Sequence, residues 1–560
     1  MLVIEPTKGR GLTDWSEINW TAVERNVKRV QGRIFRAAKR GEHAKLKNLQ
    51  KLLARSASAK LLAIRRVTQK NRGKHTPGID GLVCDTPEAR LKLFQQGLSL
   101  TDHRPKPVRR VYIPKPRGTG RRPLGIPTIK DRVLQTLVRL ALEPEWETRF
   151  EANSHGFRPG RCTMDAVCAL HAALCHKGSS RWILKADISG CFDHLSHTAL
   201  LAQLPVFTET IRRWLKAGTV EFGRMKETLA GAPQGSPLSP LLMNVALDGM
   251  GRLFGSEAPD GRRVCASARK GLNRGITLVR YADDVVTVAP SKERIEDYLL
   301  PKLKQFLSER GLSLSEAKTR IVCVDECFDF LGFTFMRQGG KLLVKPCKQN
   351  VLAHLRRVKA YLNAHKQTPA ARVIQELNPV LRGWANYQRH SNAKETLNYC
   401  DHRVWAMLWR WALRRHPRKS RQWIKDRYFS RYQGRDWTFG EKGAVLFRHG
   451  SLPVTRFVKV RGKASPMNPD EATYWEARRR SRHEVITYAW GRRRLLRRQR
   501  YRCVMCGLPF EEEESIDNHH VRPRGEGGSD VLENLMLAHR WCHRAHHVRR
   551  SRVYRKAARA

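Results

Sequence analysis

The sequence predicts a multidomain α+β protein, and three regions of the chain lead to this prediction. Residues 73–335 alternate short β-rich runs with helical runs, as expected of a mixed α/β domain. Residues 350–445 lose the strand pattern and become rich in Trp, Arg and Leu, which predicts a basic helical domain. Residues 501–560 contain closely spaced cysteines and histidines, which are typical of a small metal-binding domain. A chain of 560 residues is long enough for roughly three or four domains.

Positive charge runs along the whole chain. The sequence has 107 Lys and Arg residues against 51 Asp and Glu residues, a formal net charge of +56. This excess indicates a polyanionic partner, because neutralising phosphates and releasing their counterions supplies most nonspecific affinity for nucleic acid. A basic tail on an ordinary enzyme would confine the charge to one end of the chain.

The hydropathy of the chain argues against a membrane protein. No run of about 18 apolar residues occurs, so we expect no membrane span and no membrane partner. Residues 1–10 lack the apolar core of a signal peptide. Ten of the 13 cysteines are scattered among core-like segments, which favours reduced thiols and a cytoplasmic location.

Residues 1–72 are predicted to form an N-terminal helical extension. Between about Trp20 and Thr68, apolar residues recur at helical spacing among lysines and arginines. These residues are Leu46, Leu49, Leu53, Leu61 and Ile64.

Two short β-rich runs, residues 276–280 and 285–289, meet at the tetrapeptide Tyr-Ala-Asp-Asp of residues 281–284. This pattern predicts a β-hairpin with the carboxylates of Asp283 and Asp284 at its tip. Adjacent carboxylates repel each other, so such a tip is costly unless cations lie between them. The sequence therefore predicts a metal site at this hairpin.

A third acid, Asp187, follows an apolar run and is expected at the end of a strand. Its segment, residues 185–193, resembles the first catalytic motif of reverse transcriptases, and residues 281–284 resemble the second. The resemblance implies a right-hand polymerase whose fingers and palm occupy residues 73–345. In such a site three carboxylates hold two Mg²⁺ ions, which activate the attacking 3′-oxygen and stabilise charge on the transferred phosphoryl group. The carboxylates would be Asp187, Asp283 and Asp284.

Further motifs of the resemblance concern the incoming dNTP. Phe192 would clash with a ribose 2′-OH and so select dNTPs, the alternative being an ordinary core residue. Lys115 and Arg122 would clamp the triphosphate from a fingers hairpin, although Arg121 could take the place of Arg122. The Gly/Pro-rich block 231–240 would bring Gln234 beside the nucleotide.

Two segments outside the palm, residues 153–160 and 377–387, resemble those of bacterial group II intron-encoded proteins. The resemblance implies a helical thumb or maturase domain (domain X) at residues 346–445, which grips intron RNA. Separately, the arginine-rich residues 492–502 and the Trp/Arg-rich stretch from Tyr474, where few acids offset the charge, predict a basic DNA-binding region at residues 446–500. Aromatic rings interleaved with arginines suit RNA by offering stacking faces and phosphate contacts; for any single Trp, a core position is the alternative. These residues are Trp405, Trp409, Trp411, Arg414, Arg415, Trp423, Arg427 and Tyr428.

Near the C-terminus, two Cys/His pairs are separated by 32 residues. Three thiolates and one imidazole form a closed tetrahedral set that is typical of structural Zn²⁺. A module this small needs the metal for much of its folding energy. We therefore predict zinc ligation by Cys503, Cys506, His539 and Cys542, with His539 able alternatively to serve a second site nearby.

The C-terminal residues 501–560 resemble an HNH endonuclease of the ββα-metal fold. The resemblance implies that His520 is the general base for an attacking water and that Asn534 orients this histidine. His519, His543 and His547 would bind one catalytic divalent ion. The alternative is a zinc ribbon that binds DNA without cutting it.

Together the resemblances imply a multifunctional protein of group II intron mobility, located in the bacterial cytoplasm near the nucleoid. It would bind intron RNA as precursor and as excised lariat, assist splicing, nick target DNA, and copy the intron from the nicked 3′-end by target-primed reverse transcription. One alternative is a splicing-only maturase, which intact catalytic acids argue against. Another is the reverse transcriptase of a retron or a diversity-generating element, which the thumb segment and the HNH module argue against.

Overall fold

The computed structural model describes residues 12, 14–114, 120–176, 181–258, 261–432, 434–441, 443–489, 491–511 and 515–547. The N-terminal region is helical, as predicted. It consists of α1 (Trp20–Lys39), α2 (His43–Arg55) and α3 (Ala57–Arg65), and a π-helical turn (Arg66–Lys70) continues α3. The Asn19 side chain caps α1 by accepting a hydrogen bond from Ala22 N. The leucines at helical spacing are buried, so these helices share one core with the region that follows.

The central region mixes helices and short strands. Its helices are α4 (Pro87–Gln95), α5 (Ile129–Arg149), α6 (Thr163–Leu174), α7 (Cys191–His194), α8 (His197–Ala202), α9 (Thr208–Leu215), α10 (Ser239–Ala246) and α11 (Leu300–Ser308). Its strands are β1 (Val108–Pro114), β2 (Arg121–Ile126), β3 (Trp182–Ser189), β4 (Thr219–Glu221), β5 (Arg224–Lys226), β6 (Thr277–Tyr281), β7 (Asp284–Ala289), β8 (Ser313–Leu314) and β9 (Arg320–Cys323). The predicted alternation of strands and helices is thus confirmed.

These strands form two sheets. In the first, the order is β2-β1-β4-β5, and β1 pairs antiparallel with β2 and parallel with β4. In the second, the order is β6-β7-β3-β8, with β9 also paired to β3. Strand β3 therefore lies between β7 and β9, both antiparallel to it. Nearly all of α5 is buried, because it packs against α1, α2 and α3 and also belongs to the core of the second sheet.

The chain then forms a three-stranded antiparallel meander and a helical region. The meander strands are β10 (Phe328–Phe330), β11 (Phe333–Gln338) and β12 (Lys341–Pro346). The helices that follow are α12 (Lys348–Ala364), α13 (Ala370–Gln388), α14 (Lys394–Arg415) and α15 (Arg421–Tyr428). Apolar residues on one side of each helix form a core of their own.

The expectation of no strands in residues 350–445 is wrong over the last part of that segment. There the chain forms a small antiparallel sheet of β13 (Phe429–Tyr432), β14 (Arg435–Glu441) and β15 (Ala444–Val445). Phe429 and Phe439 are register partners and both are buried in the helical core. The strands are short and their burial does not alternate from residue to residue, so the sequence carries no two-residue period that would indicate them.

The C-terminal region begins with residues 446–468, which contain no helix longer than one 3₁₀ turn and no strand. Helices α16 (Ala472–Val485) and α17 (Arg492–Arg498) lead to an antiparallel pair, β16 (Ile516–His520) and β17 (Leu535–His539), and then to helical residues 540–547. This strand–strand–helix order is the predicted ββα arrangement. Among the described residues, no helix is long and apolar enough to span a membrane.

Candidate active sites and metal centre

The paired aspartates lie at the turn of the β6–β7 hairpin. Tyr281 pairs with Asp284, so Ala282 and Asp283 form the two-residue loop, and Asp284 starts the returning strand. Ala282 adopts φ of +58°, the left-handed conformation that a tight hairpin loop requires. Gly156 packs against this loop so closely that a Cβ atom there would collide with the Ala282 backbone. The packing of Gly156 against Ala282 therefore holds the hairpin tip in place.

The segment around Gly156 also continues the sheet. His155 N donates to the carbonyl of Arg280 at 2.9 Å, and Arg280 N donates to the carbonyl of Asn153 at 3.0 Å. The Arg280 side chain is fully buried, and its Nη1 donates to Asn244 Oδ1 at 2.9 Å. Asn244 in turn donates to the Gly156 carbonyl at 2.8 Å. These bonds fix the direction in which the hairpin presents its carboxylates.

The structure brings the third acid to the same place. Asp187 on β3 is the register partner of Asp284 on β7. Desolvation raises the pKa of Asp284 to about 6, and the charges of Asp283 and Asp187 add to this rise. Desolvation also raises the pKa of Asp283. Carboxylates that destabilise one another in this way fit a divalent cation, because hard oxygen donors are the ligands that Mg²⁺ prefers.

A lysine that the sequence patterns did not indicate lies at this cluster. Lys318 Nζ donates to Asp187 Oδ2 at 2.8 Å, and this bond raises the pKa of Lys318. Lys318 reaches the acid because Ser315 N donates to the Asp187 carbonyl at 2.8 Å, just after β8 pairs with the end of β3. Its charge balances part of the negative charge of the three acids.

Two of the predicted nucleotide-binding residues line a single cleft. Phe192 and Gln234 are among its lining residues. Ala232 N donates to the Phe192 carbonyl at 2.6 Å, and Gly125 N on β2 donates to the Gln234 carbonyl at 2.6 Å. The block 231–240 therefore ties the helix that carries Phe192 to the β1–β2 hairpin.

Of the two basic residues expected near the triphosphate, the structure describes one. Arg122 lies on β2, and its charge opposes the rise in the pKa of Asp283. Lys115 lies outside the described residues. Arg110 on β1 faces the same cleft and lies 3.3 Å from Asp193 Oδ1.

The aromatic residues of the helical region divide into core and surface. Trp411 and Tyr428 are buried, and Trp411 Nε1 donates to the His365 carbonyl at 3.0 Å, so both are core residues. Trp423 is exposed. Trp405 and Trp409 are half-buried and contact the exposed Trp437, with ring centroids 5.8 Å and 5.5 Å from it. Arg414, Arg415 and Arg427 lie on the same helices.

The four predicted zinc ligands come together at the C-terminal module. The thiols of Cys503, Cys506 and Cys542 and a ring nitrogen of His539 all lie within 4.8 Å of one another. His539 Nδ1 is 3.4 Å from Cys506 Sγ, so His539 lies in this set and not with the other histidines. Hydrogen bonds among the three thiols lower the pKa of Cys503 and raise the pKa of Cys542, so the sulfur atoms interact directly with one another. Three sulfur donors and one imidazole in this arrangement fit Zn²⁺.

A second cluster contains only histidines. His519, His543 and His547 each direct a ring nitrogen into a space where these atoms lie within 4.8 Å of one another. Desolvation lowers the pKa of His519 to about 4, so its ring is neutral at pH 7, the form that binds metal. Asp517 Oδ2 lies 3.6 Å from His543 Nδ1, on the other side of that ring from His547. The cluster therefore fits one divalent cation.

His520 lies beside the histidine cluster, and the acid in contact with it is Asp530. His520 Nε2 lies 2.6 Å from Asp530 Oδ1. The side chain of Asn534 forms hydrogen bonds with the backbone: Oδ1 accepts from Arg522 N at 2.7 Å, and Nδ2 donates to the carbonyls of Arg522 and Ser529. Asn534 thus closes the loop that brings Asp530 back to His520.

Comparison with known families matches four segments of the chain. Residues 113–335 match the family described as reverse transcriptase (RNA-dependent DNA polymerase), and residues 15–96 match the N-terminal domain of reverse transcriptase. Residues 351–429 match the group II intron maturase-specific domain, and residues 503–549 match the HNH endonuclease family. The segments follow one another in the order of the regions described above.

Several curated proteins are similar to this chain. Protein YkfC of Escherichia coli is 31% identical over 305 residues, which cover 49% of this chain and 80% of YkfC. Group II intron-encoded protein LtrA of Lactococcus lactis is 31% identical over 49% of this chain, and the match spans 54% of LtrA, about half of its length. Maturase-like protein 1 of Euglena gracilis is 26% identical over 68% of this chain and 78% of its own length.

Proposed function

The chain belongs to the group II intron-encoded proteins, with reverse transcriptase, maturase and HNH endonuclease domains in one polypeptide, and on this premise we propose a division of labour among its residues. It is an RNA-directed DNA polymerase and an endonuclease. We propose that it copies intron RNA by target-primed reverse transcription, assists splicing of that RNA, and nicks the target DNA. The observation that carries the proposal is the pairing of Asp187 with Asp284 next to Asp283, in a chain that also holds the histidine cluster.

In the polymerase, Asp187, Asp283 and Asp284 would hold two Mg²⁺ ions through carboxylate oxygens. When bound, these ions would activate the attacking 3′-oxygen and stabilise charge on the transferred phosphoryl group and the pyrophosphate. Lys318 keeps Asp187 oriented toward this centre through its 2.8 Å hydrogen bond. The rigid support of the hairpin by residues 153–160 fixes the carboxylates before the nucleotide arrives.

We assign the β1–β2 hairpin to the fingers, the second sheet to the palm, and the helical region to the thumb. Phe192 would pack against the sugar of the incoming dNTP where a 2′-OH would clash, and Gln234, which lines the same cleft, would contact the nucleotide. Arg122 on β2 would pair with the triphosphate, and we propose the same role for Lys115. The shared cleft of Phe192 and Gln234 and the electrostatic effect of Arg122 on Asp283 support these roles.

For the helical region we propose a role in binding intron RNA, both as precursor and as excised lariat. The exposed rings of Trp423 and Trp437 are better placed for stacking on bases than the buried Trp411. Lys425 Nζ lies 5.0 Å from the Trp437 ring centroid, so charge and a stacking face occur together. The net charge of +56 supports a nucleic-acid partner over the length of the chain.

In the nuclease, His520 would take a proton from the attacking water on the ring nitrogen that does not contact Asp530. When bound to His519, His543 and His547, one divalent ion would stabilise charge on the scissile phosphate and the leaving 3′-oxygen. Zn²⁺ at Cys503 and its three partners would hold the strand–strand–helix unit together. The arginines of α17 would add affinity for the target DNA.

The test of this function is recovery of RNA with the protein. We expect the protein, expressed from its own flanking DNA, to co-purify with a group II intron that surrounds its reading frame. The same particle, given target DNA and dNTPs, should nick one strand and extend the new 3′-end with intron sequence. A particle that splices the intron but extends no primer under these conditions would support the splicing-only maturase instead, and recovery of an unrelated structured RNA would contradict the intron assignment.

A further inference from the structure

The N-terminal helices contact the proposed zinc centre, although more than 470 residues separate them in sequence. Thr21 Oγ1 on α1 donates a hydrogen bond to the Cys506 carbonyl oxygen at 2.6 Å, across 485 residues. Arg65 Nη2 at the end of α3 lies 3.6 Å from Cys542 Sγ, across 477 residues. Both contacts reach residues that the zinc proposal assigns as metal ligands, so the two regions meet at the metal centre itself.

A third contact connects the N-terminal helices with the zinc centre through the aromatic ring of Trp541. Lys70 Nζ, in the turn after α3, lies 4.5 Å from the centroid of the Trp541 ring. Trp541 stacks on the ring of His539, with centroids 4.4 Å apart and an interplanar angle of 12°. A cation over the face of an aromatic ring is favourable. Lys70, Trp541 and His539 therefore form a short stack that ends at the fourth zinc ligand.

Arg65 is the most informative of these residues, because its side chain is only 1% exposed. A buried guanidinium is costly unless anions and hydrogen-bond acceptors compensate it. Glu24 Oε1 lies 3.7 Å away, beyond hydrogen-bonding distance, and Nη1 has no hydrogen-bond partner. Trp20 offers a ring face at 4.3 Å. The hydrogen bond that Arg65 does make goes to the sulfur of Cys542.

We propose that Arg65 is a positioning residue of the zinc centre, which couples zinc binding to docking of the nuclease module on the N-terminal helices. The inference rests on the zinc site proposed above. Three thiolates and one neutral imidazole around Zn²⁺ carry a net charge of −1, and Arg65 supplies the compensating positive charge. A hydrogen bond from a cation to a thiolate is stronger than one to a neutral thiol, so the docking contact depends on the metal.

The proposal has a reciprocal consequence. If docking strengthens zinc binding, zinc must strengthen docking by the same factor, because the two equilibria are linked. Loss of zinc would then weaken the contact of the module with α1 and α3 and free the histidine cluster from its fixed position relative to these helices. Zinc in this chain would thus stabilise the fold of the small module and would also fix the position of the nuclease on α1 and α3.

The first experiment measures zinc affinity in the full-length zinc-loaded protein by competition with a chromogenic chelator. Replacing a partner that donates a hydrogen bond to a metal ligand typically costs 10- to 100-fold in affinity, so we expect Arg65→Gln to weaken zinc binding by about tenfold. Arg25→Gln is the matched control, because Arg25 is exposed on α1 and the change in charge is the same. Thr21→Val, which removes only a bond to a backbone carbonyl, should have a smaller effect.

The second experiment follows hydrogen–deuterium exchange in the wild-type full-length protein before and after zinc removal. We expect faster exchange in the first turns of α1 and in the last turn of α3, and no change in α5, which lies behind them in the core. This measurement needs no substitution, so it remains decisive if Arg65→Gln fails to fold. Arg65→Gln with zinc bound should show part of the same increase.

Two results would overturn the inference. Arg65→Gln could bind zinc as tightly as Arg25→Gln, or zinc removal could leave exchange in α1 and α3 unchanged. Cys503→Ser separates these outcomes from failure of the zinc site. If Cys503→Ser lowers zinc content while Arg65→Gln behaves like its control, the zinc site stands and only the coupling is wrong. If the wild-type protein holds no zinc, both proposals fail.

Discussion

The two catalytic centres are assembled by different means. The three acids of the polymerase come from strands about 100 residues apart, and the backbone register of β3 and β7 aligns them. The histidines of the nuclease all lie within residues 519–547, on one strand and the helix that follows the next strand. In the first centre, the core of a large domain fixes the geometry. In the second, the core is small, and ligation of metal must supply much of the rigidity.

This difference predicts different sensitivities. The polymerase acids should keep their arrangement when metal is removed. The strands that carry them, β3 and β7, are largely buried and are paired with each other as far as Asp187 and Asp284. The nuclease should lose its arrangement when its zinc ligands are removed, because the core of this module is one small cluster around Phe510 and Leu537. Substitutions in one centre should leave the other centre active.

The largest effect is expected for Asp283→Ala. Removal of this carboxylate takes away one metal ligand and one negative charge. The loss costs several kcal/mol of transition-state stabilisation and lowers primer extension by about 10³-fold or more. Nicking of target DNA and splicing of the intron should be retained. Asp325→Ala, at an exposed acid paired with Arg181, is the matched control and should extend primers normally. Unchanged extension by Asp283→Ala would refute the assigned metal site.

The next largest effect is expected for His520→Ala. Loss of a general base lowers rates by about 10²- to 10⁴-fold, so second-strand nicking should fall to near background, while extension of a primer already annealed to the template persists. Asp530→Asn keeps the shape of the residue beside His520 but removes its charge, and it should lower nicking by about tenfold. Nicking assays on pre-formed target duplex measure both. If His520→Ala nicks at the full rate, another residue is the base.

Most of the polymerase centre could be predicted from the sequence. The hairpin at residues 281–284 was predictable, because two β-rich runs flank the acids directly. The proximity of Asp187 followed from the resemblance to a catalytic motif, and the pairing of β3 with β7 gives the physical reason. Lys318 could not be predicted, because its contact with Asp187 depends on the pairing of the two-residue strand β8 with the end of β3. Such a short strand leaves no periodic signal.

For the nuclease, the metal ligands could be predicted from the sequence, but the contacts made by loops and between domains could not. The spacing of Cys503, Cys506, His539 and Cys542 indicated which residues would meet, because closely spaced pairs of metal ligands are recognisable in sequence. The contact of Asp530 with His520 was missed, since it depends on a glycine-containing loop that Asn534 closes through backbone hydrogen bonds. The docking of α1 on Cys506 spans 485 residues and has no counterpart in any local pattern. Contacts between domains are set by tertiary packing alone.

A smaller effect in the polymerase is expected for Lys318→Met. This change keeps the length of the side chain and removes a charged hydrogen bond to Asp187, which is worth about 1 kcal/mol because the Lys318 side chain is mostly exposed to solvent. Because Mg²⁺ binding compensates part of this loss, we expect primer extension to fall by about fivefold at low Mg²⁺ and less at high Mg²⁺. Steady-state primer extension over a Mg²⁺ series measures this. An effect that does not depend on Mg²⁺ would contradict a role for Lys318 at the acid cluster.

The smallest effect is a change of stability with pH. The pKa of Asp284 is raised to about 6 in the folded chain, above its value of 3.8 in the unfolded chain, so the folded state binds the proton more tightly. This group therefore stabilises the folded state below about pH 4, and the contribution is lost as the pH rises through 6. At pH 7.5 without Mg²⁺, Asp284→Asn should raise the stability of the polymerase domain by about 1 kcal/mol, because solvent still reaches this partly desolvated side chain and screens much of the effect.

Thermal melting at pH 4.5 and 7.5, with and without Mg²⁺, checks this sign. The gain of Asp284→Asn over the wild type should shrink at pH 4.5, where both side chains are neutral. It should also shrink at pH 7.5 when Mg²⁺ is added, because the cation relieves the same repulsion in the wild type. If Asp284→Asn is less stable than the wild type at pH 7.5 without Mg²⁺, the three acids do not repel one another as the register implies.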